Sequence, residues 1–338
     1  MKVLQIIKEG EAAVGELATP VLNDGEVLLR VGFVGFCGSD LNTFRGLNPL
    51  VKLPVIPGHE IGATVEVVGK GVPENIKPGM NVTVNPYTNC GHCPACDNRR
   101  PNACRDNETL GVQRDGAMAE YIAVPWQKVI MAEGLSLKEL ALVEPMSVGF
   151  HAVSRAAVTD SDTVMVIGCG MIGIGAIVRA SLRGAKVIAA DVDDIKLELA
   201  RKLGAAHTIN TATRNIHEEV MGMTDGRGCD VVIEAVGRPE TYNAAISEAA
   251  FTGRVVYIGY AKERISFDTS YFVKKELDIR GSRNAMPDDL KAVIKYLQRR
   301  ECSVESLISG VVKPEEAQAA LEAWQCSPGK VFRILVEF

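Results

Sequence analysis

Four cysteines stand close together in this chain. Cys90, Cys93, Cys96 and Cys104 follow the spacing C-x2-C-x2-C-x7-C. Thiolates this near in sequence can close a tetrahedron around zinc without help from distant parts of the fold. Such a site is coordinatively full, so its role is structural: it pins a loop that has no core. An iron–sulfur cluster is the other metal reading of these residues, and unligated thiols are the non-metal one. His92, inside the loop, is a decoy ligand.

A second set is dispersed: Cys37 in G-F-C-G-S-D, and His59 with Glu60 in P-G-H-E. Each alone reads as core or surface filler. Together, in glycine-rich turns, they suggest an open catalytic zinc site, which needs about three protein ligands and one exchangeable position. Zinc held this way lowers the pKa of a bound alcohol as a Lewis acid.

The run V-I-G-C-G-M-I-G places Gly168, Gly170 and Gly173 in G-x-G-x-x-G spacing. It follows a strand-like segment, 163–168, and opens a helix that starts with Met171 and Ile172. Asp191 ends the next strand-like segment, 23 residues after Gly168. In that context the motif predicts a dinucleotide site. Gly168 permits the tight turn, Gly170 lets the backbone approach the pyrophosphate, and Gly173 lets helix and strand pack closely. Asp191 can accept hydrogen bonds from the adenosine ribose hydroxyls. With Asp193 it would repel a 2′-phosphate, which favours NAD over NADP. A glycine-rich packing turn without a ligand is the plain alternative.

The elements that must hold these groups come in two kinds. Up to residue 145 the chain reads as short strands (27–31, 62–68, 81–85) broken by X-Pro turns. From 163 onward strand and helix alternate: strands at 163–168, 186–191, 230–236, 254–259 and 277–282, helices at 171–183 and 194–203. That alternation predicts an α/β fold with a parallel sheet covered by helices on both faces. After 281, Leu290, Val293, Ile294 and Leu297 mark an amphipathic helix, another helix starts at Pro314, and 331–338 ends the chain as a strand. The expected division is 1–147, completed by 285–338, and 148–284.

Composition sets the outer limits. With 338 residues, 47% hydrophobic and 23% charged, the chain is an ordinary globular protein of about two domains. Its net charge of −5, with no basic stripe, argues against a nucleic-acid partner. The longest apolar run, 164–178, contains four glycines and ends at Arg179, short of the roughly 20 residues a membrane span needs. Charge close to the N-terminus argues against a signal peptide, so a cytoplasmic protein with no membrane partner is expected.

The motifs C-G-S-D, P-G-H-E, the four-cysteine lobe, L-V-E-P-M-S-V-G-F-H-A and V-I-G-C-G-M-I-G resemble a zinc-dependent medium-chain alcohol dehydrogenase over essentially the whole chain. Within that family the chain is most similar to the polyol and sugar-acid (sorbitol, L-idonate, galactonate) and threonine dehydrogenase branch. The resemblance implies a GroES-like β-rich catalytic domain, completed by the C-terminal tail, plus a Rossmann domain. It implies one structural and one catalytic zinc, the latter held by Cys37 and His59 with Glu60 and Glu144 as variable or water-mediated ligands. Glu60 as a supporting carboxylate and Glu144 as a cap at the domain junction are the alternatives.

The same resemblance gives roles to further residues. Ser39 takes the substrate proton, and Asp40 accepts a proton from His59 and fixes its tautomer. Lys196 lies near the adenosine ribose, a solvated helix lysine being the alternative. Ile258 and Ser282 meet the nicotinamide through backbone groups, and Arg283 stands between cofactor and substrate. Asn42 replaces a histidine common in related enzymes and cannot titrate, which weakens a threonine assignment. Asn42, Phe44, Arg45 and Arg114 are candidates to line the substrate pocket. The implied reaction moves hydride from a secondary alcohol of a polyol or sugar acid to NAD. L-threonine 3-dehydrogenation and a non-catalytic structural or sensor protein are the alternatives. The implied assembly is a homodimer or homotetramer joined edge to edge, with the apolar run 255–258 as a compatible strand.

Overall fold

The computed structural model describes residues 1–301 and 303–338; Cys302 lies outside them. The chain divides into two compact units, Met1–Pro145 with Met286–Phe338, and Met146–Ala285.

The first unit is built on the strand Glu26–Gly35. Its partner along one edge is Glu60–Val68; along the other it pairs with Tyr121–Pro125 near its start and with Ile334–Glu337 near its end, all antiparallel. The sheet continues through Asn81–Val84 to Val129–Met131 on one side and to Gly310–Val312 on the other. Alternate residues face the core: Val27, Leu29 and Val31 on the central strand, and Ile61, Ala63 and Val65 on its neighbour, are at most 2% exposed. This is the period-two burial of a sheet covered on one face. Two register shifts, at Leu28/Leu29 and Val31/Phe33, insert bulges that increase the local twist. A hairpin, Lys2–Lys8 with Glu11–Glu16, adds Val3, Leu4 and Ile6 to the same core.

The chain's last strand therefore lies inside the sheet formed by its first 145 residues. Leu335 pairs with Gly35 and Val336 with Val34. At the start of the same returning segment, the helix Pro287–Gln298 buries Leu290, Val293, Ile294 and Leu297, the four residues of the predicted apolar stripe.

In the second unit six parallel strands lie in the spatial order His207–Asn210, Lys186–Asp191, Thr163–Ile167, Cys229–Glu234, Ala249–Tyr257, Asp278–Gly281. The chain first moves outward from Thr163–Ile167 in one direction, then returns to build the other half. The order reverses between Thr163–Ile167 and Cys229–Glu234, and in open parallel sheets ligands bind beyond the carboxyl ends of the strands at such a point. The strand carrying Val255 and Val256 is paired on both sides and both residues are fully buried. The run 255–258 is thus not an edge and could not pair directly with a second copy; the sheet's edges are His207–Asn210 and Asp278–Gly281. Among the described residues, no helix is long and apolar enough to cross a membrane.

Leu335 is fully buried in the returning strand. Leu335→Ala is expected to destabilise the first unit by about 2–5 kcal/mol, read as a lower denaturation midpoint in urea.

Candidate metal centre and nucleotide site

The central strand Glu26–Gly35 delivers the chain to Cys37, which caps the helix Gly38–Phe44. The Asp40 carboxylate turns back and accepts the Cys37 backbone N–H at 2.8 Å, as capping acids do in a first helical turn. His59 and Glu60 stand at the start of the neighbouring strand. Gly58, at φ +101°, makes the turn before them, where a Cβ would press on Val34 and Met118. A ligand atom from each of Cys37, His59 and Glu60 lies within 4.8 Å of the others, with His59 5% and Glu60 0% exposed.

Glu60 fits because its cross-strand partner is Gly35: a Cβ there would sit 2.1 Å from Glu60 Oε2. Facing that oxygen at 3.0 Å is Arg333 Nε. This is an ion pair by distance, though its angle is too poor for a hydrogen bond, so neither atom has a hydrogen-bond partner. Arg333 also donates from its guanidinium to the Phe36 carbonyl at 2.5 Å. Glu144, 3% exposed, heads the helix Val143–Ala156, and Tyr87 donates its hydroxyl proton to Glu144 Oε1.

These groups perturb one another strongly. Burial drives the Glu60 carboxyl well above the usual carboxylate range, although Arg333 opposes it. Burial also raises Asp40, against the field of His59. At Cys37 burial would raise the thiol pKa, but His59 and Arg333 outweigh it and the pKa is lowered. Ser39 Oγ, Asp40 Oδ1, His59 Nδ1 and both Glu60 oxygens are buried without a hydrogen bond. Each orphan of this kind costs about 1–3 kcal/mol, and coordination by a divalent cation would offset part of that cost. A thiolate, an imidazole and carboxylates on an otherwise closed wall form a donor set that fits zinc.

Two sequence expectations change here. The His59–Asp40 bond is not made: His59 Nδ1 and Asp40 Oδ1 both lack a hydrogen-bond partner, while Asp40 Oδ2 accepts the Cys37 N–H. Asp40 thus positions the first ligand and acts on His59 only through its charge. Phe44 is 1% exposed and belongs to the hydrophobic core, so it packs the helix instead of lining a substrate pocket. Arg333 and Tyr87 were missed. A single charge inside the apolar run V-F-R-I-L-V was a usable signal for Arg333; Tyr87 gave none.

The four-cysteine lobe is compact. Sγ separations are 3.6 Å for Cys93–Cys96, 3.7 Å for Cys93–Cys104 and 3.5 Å for Cys90–Cys104. Four sulfurs bound to one ion at about 2.3 Å stand about 3.8 Å apart in a tetrahedron, whereas a disulfide needs about 2.05 Å. A cluster of several irons would hold the sulfurs farther apart. Backbone N–H groups of Arg105 and Cys96 draw the Cys93 thiol down to about 6, toward the thiolate that a metal requires.

In the second unit, Gly168 has φ +94°, and a Cβ at Gly173 would lie 1.8 Å from the Gly168 carbonyl. A Cβ on Gly170, the cap of the helix Met171–Leu182, would meet open space. The free N-terminus of that helix suits a phosphate. Met171 is buried and Ile172 half-buried in its first turn. Asp191 Oδ2 accepts the Cys169 N–H at 2.6 Å, and Oδ1 accepts those of Val192 at 2.8 Å and Asp193 at 3.1 Å. These bonds fix the carboxylate and leave lone pairs for ribose hydroxyls. Lys196, 8% exposed, is no solvated helix lysine. Ile258 and Ser282 lie just beyond the carboxyl ends of the last two strands, and Ser282 Oγ is buried without a partner. Arg283 follows, half-buried, and Asn42 is half-buried on the helix after Cys37.

Arg333→Met is expected to cost about 3–5 kcal/mol, because it strands the Glu60 carboxylate without its buried counter-ion. Equilibrium denaturation of the metal-loaded protein measures the loss.

Residues 23–134 match the alcohol dehydrogenase GroES-like domain and residues 172–299 match the zinc-binding dehydrogenase family. The chain is 31% identical over 290 residues to the L-galactonate-5-dehydrogenase of Escherichia coli K12, covering 86% of this chain and 85% of that one. It is 33% identical to a sorbitol dehydrogenase of Bacillus subtilis, covering 92% and 87%. A solved structure from Escherichia coli CFT073, described as a short chain alcohol dehydrogenase complexed with cofactor NADH, superposes with a TM-score of 0.91 at 29% identity, covering 100% of this chain and 99% of that one. A thiolate–imidazole–carboxylate wall, a tetrathiolate lobe and a dinucleotide sheet thus coincide with sequence relatives that are named dehydrogenases, and the chain belongs to the zinc-type alcohol dehydrogenase family of oxidoreductases.

Proposed function

We propose that this enzyme oxidises a secondary hydroxyl of a polyol or sugar acid and that NAD accepts the hydride. The observation that carries this reading is the buried set Cys37, His59 and Glu60, whose ligand atoms converge within 4.8 Å while their polar atoms lack hydrogen-bond partners. Zinc bound there supplies Lewis-acid polarisation of the substrate hydroxyl, and NAD supplies the hydride acceptor. Cys37 and His59 hold the metal. Glu60, tied to Arg333, and Glu144, tied to Tyr87, complete or support its coordination. The second zinc belongs to Cys90, Cys93, Cys96 and Cys104, and keeps their loop folded.

The remaining residues orient substrate and move its proton. Ser39 Oγ is buried and unpaired at the first turn beside Cys37, so it can receive the hydroxyl proton. Asn42, one helical turn further on, offers an amide to a second hydroxyl and cannot relay a proton. The two relatives described above act, by their names, on a sugar acid and a polyol, which supports that substrate class. Asp191 supports NAD: its carboxylate is fixed at the end of the second strand, and Asp193 adds charge where a 2′-phosphate would lie. Ile258, Ser282 and Arg283 are read as nicotinamide-side residues, Lys196 as the adenosine-side cation.

We further infer a homo-oligomer. The strand Asp278–Gly281 has an unpaired edge in the single chain and is largely exposed, with Ile279 at 43%. A second copy would satisfy that edge; light scattering should return twice or four times the chain mass, and a monomer at micromolar concentration would rule this out.

The catalytic reading is tested by NADH absorbance over sorbitol, galactitol, L-galactonate, L-idonate and L-threonine. Wild type should prefer a polyol or aldonate to threonine, and NAD to NADP by about 10-fold or more, the scale of one charge-assisted contact. Cys37→Ala should abolish turnover while NADH still quenches protein fluorescence. Turnover retained in Cys37→Ala, or a preference for threonine, would overturn it.

A further inference from the structure

The loop that carries Arg114 lies directly against the turn that carries His59. The Gly116 N–H donates to the Ile56 carbonyl at 2.7 Å, Ala117 to Gly58 at 2.9 Å and Met118 to Pro57 at 3.0 Å, while the Ile56 N–H donates to Asp115 Oδ1 at 2.9 Å. A Cβ at Gly111 or Gly116 would stand 2.4 Å from the Gly58 backbone. Arg114 is therefore held one loop away from a metal ligand, by backbone contacts that leave little play.

Among the described residues its side chain has no hydrogen-bond or ion-pair partner. Arg114 is half-buried, its Nε is buried without a hydrogen bond, and it forms no ion pair among the described residues. The exposed Glu108 acts on it only through its field, and burial lowers the guanidinium pKa. Lys128 stands nearby, also half-buried. Burial, then the charge of Arg114, lowers its ammonium. Lys128 Nζ donates to the Tyr87 carbonyl at 2.6 Å, and the Tyr87 hydroxyl donates to Glu144. Two half-buried cations thus stand within each other's field beside the His59 turn, and neither forms an ion pair among the described residues. Such an arrangement costs desolvation and repulsion unless an anion joins it.

We propose that Arg114, with Lys128 as a second positive charge, anchors an anionic group at one end of the substrate's polyol chain and so determines its specificity. The chemistry is that of a guanidinium fork on a carboxylate or a phosphate ester. The inference rests on the polyol or sugar-acid reading above, and selects within it the charged substrates over the neutral ones.

Three six-carbon probes separate the sources of the anion: L-galactonate, galactitol 1-phosphate and neutral galactitol. On the zinc-loaded full chain, wild type should favour one of the two anions over galactitol. In Arg114→Met the ratio of kcat/KM for that anion to kcat/KM for galactitol should fall by about 10- to 100-fold, mostly through KM, as expected for a charged hydrogen bond. Arg114→Lys should restore part of it. A wild type that prefers galactitol, or a ratio unchanged by Arg114→Met, overturns the proposal. If wild type oxidises none of the probes, the catalytic reading has failed and binding decides this one separately. A thermal shift with either anion, lost in Arg114→Met, sustains it, and no shift in wild type or the same shift in both proteins overturns it.

Discussion

The metal centre depends on a buried guanidinium. Arg333, 4% exposed, lies against Glu60 and within the field of Glu144, Asp40 and Cys37. Without it, the acids and the thiol that converge on this wall would share a dry volume with the His59 imidazole. A buried charge pair is poor evidence for stability, because desolvation cancels much of the attraction. Its use here is positional. Arg333 fixes one end of Glu60 while Tyr87 fixes one end of Glu144, so two carboxylates are held still near one thiol and one imidazole. Residual orphan atoms on Ser39, Asp40 and His59 make the wall a binder of charge, since coordination and hydrogen bonds from substrate relieve what the protein alone leaves unsatisfied.

That requirement explains the connectivity of the first unit. Arg333 can reach Glu60 only if the last strand returns to pair with Gly35, and Glu60 can occupy the space beside that pair only if residue 35 has no side chain. Fold and site are thus coupled through one glycine and one arginine that are 298 positions apart in the chain. The second unit solves a simpler problem. Its ligand is read mostly by backbone, so glycines at 168, 170 and 173 remove steric bulk and Asp191 is oriented by three amide hydrogens.

Much of this was legible before any coordinates. Strand–helix alternation after residue 163 implied the parallel sheet, and the spacing of Gly168, Gly170, Gly173 and Asp191 implied what its first turn receives. Local signals of this kind survive because the interactions they report are short in sequence. The strand His207–Asn210 escaped notice because H-T-I-N carries one apolar residue in four, and pairing to a single neighbour at the sheet's edge asks for no more. The helix Val143–Ala156 was obscured by Pro145, which falls in its first turn, where the missing N–H costs nothing. Phe44 illustrates the reverse error: an aromatic near a ligand was read as pocket lining when its helix needed it for the core.

By itself the sequence determined the fold class, the tetrathiolate lobe and the dinucleotide turn, because each is set by residues within about one supersecondary unit of one another. Only the tertiary structure decided which carboxylate meets Arg333, that Tyr87 holds Glu144, that Asp40 serves Cys37 and leaves His59 Nδ1 unbonded, and that Arg114 stands beside the His59 turn without an ion pair among the described residues. Those are contacts between segments far apart in the chain. Their partners are chosen by burial and geometry after the sheet has formed, and no residue spacing encodes them.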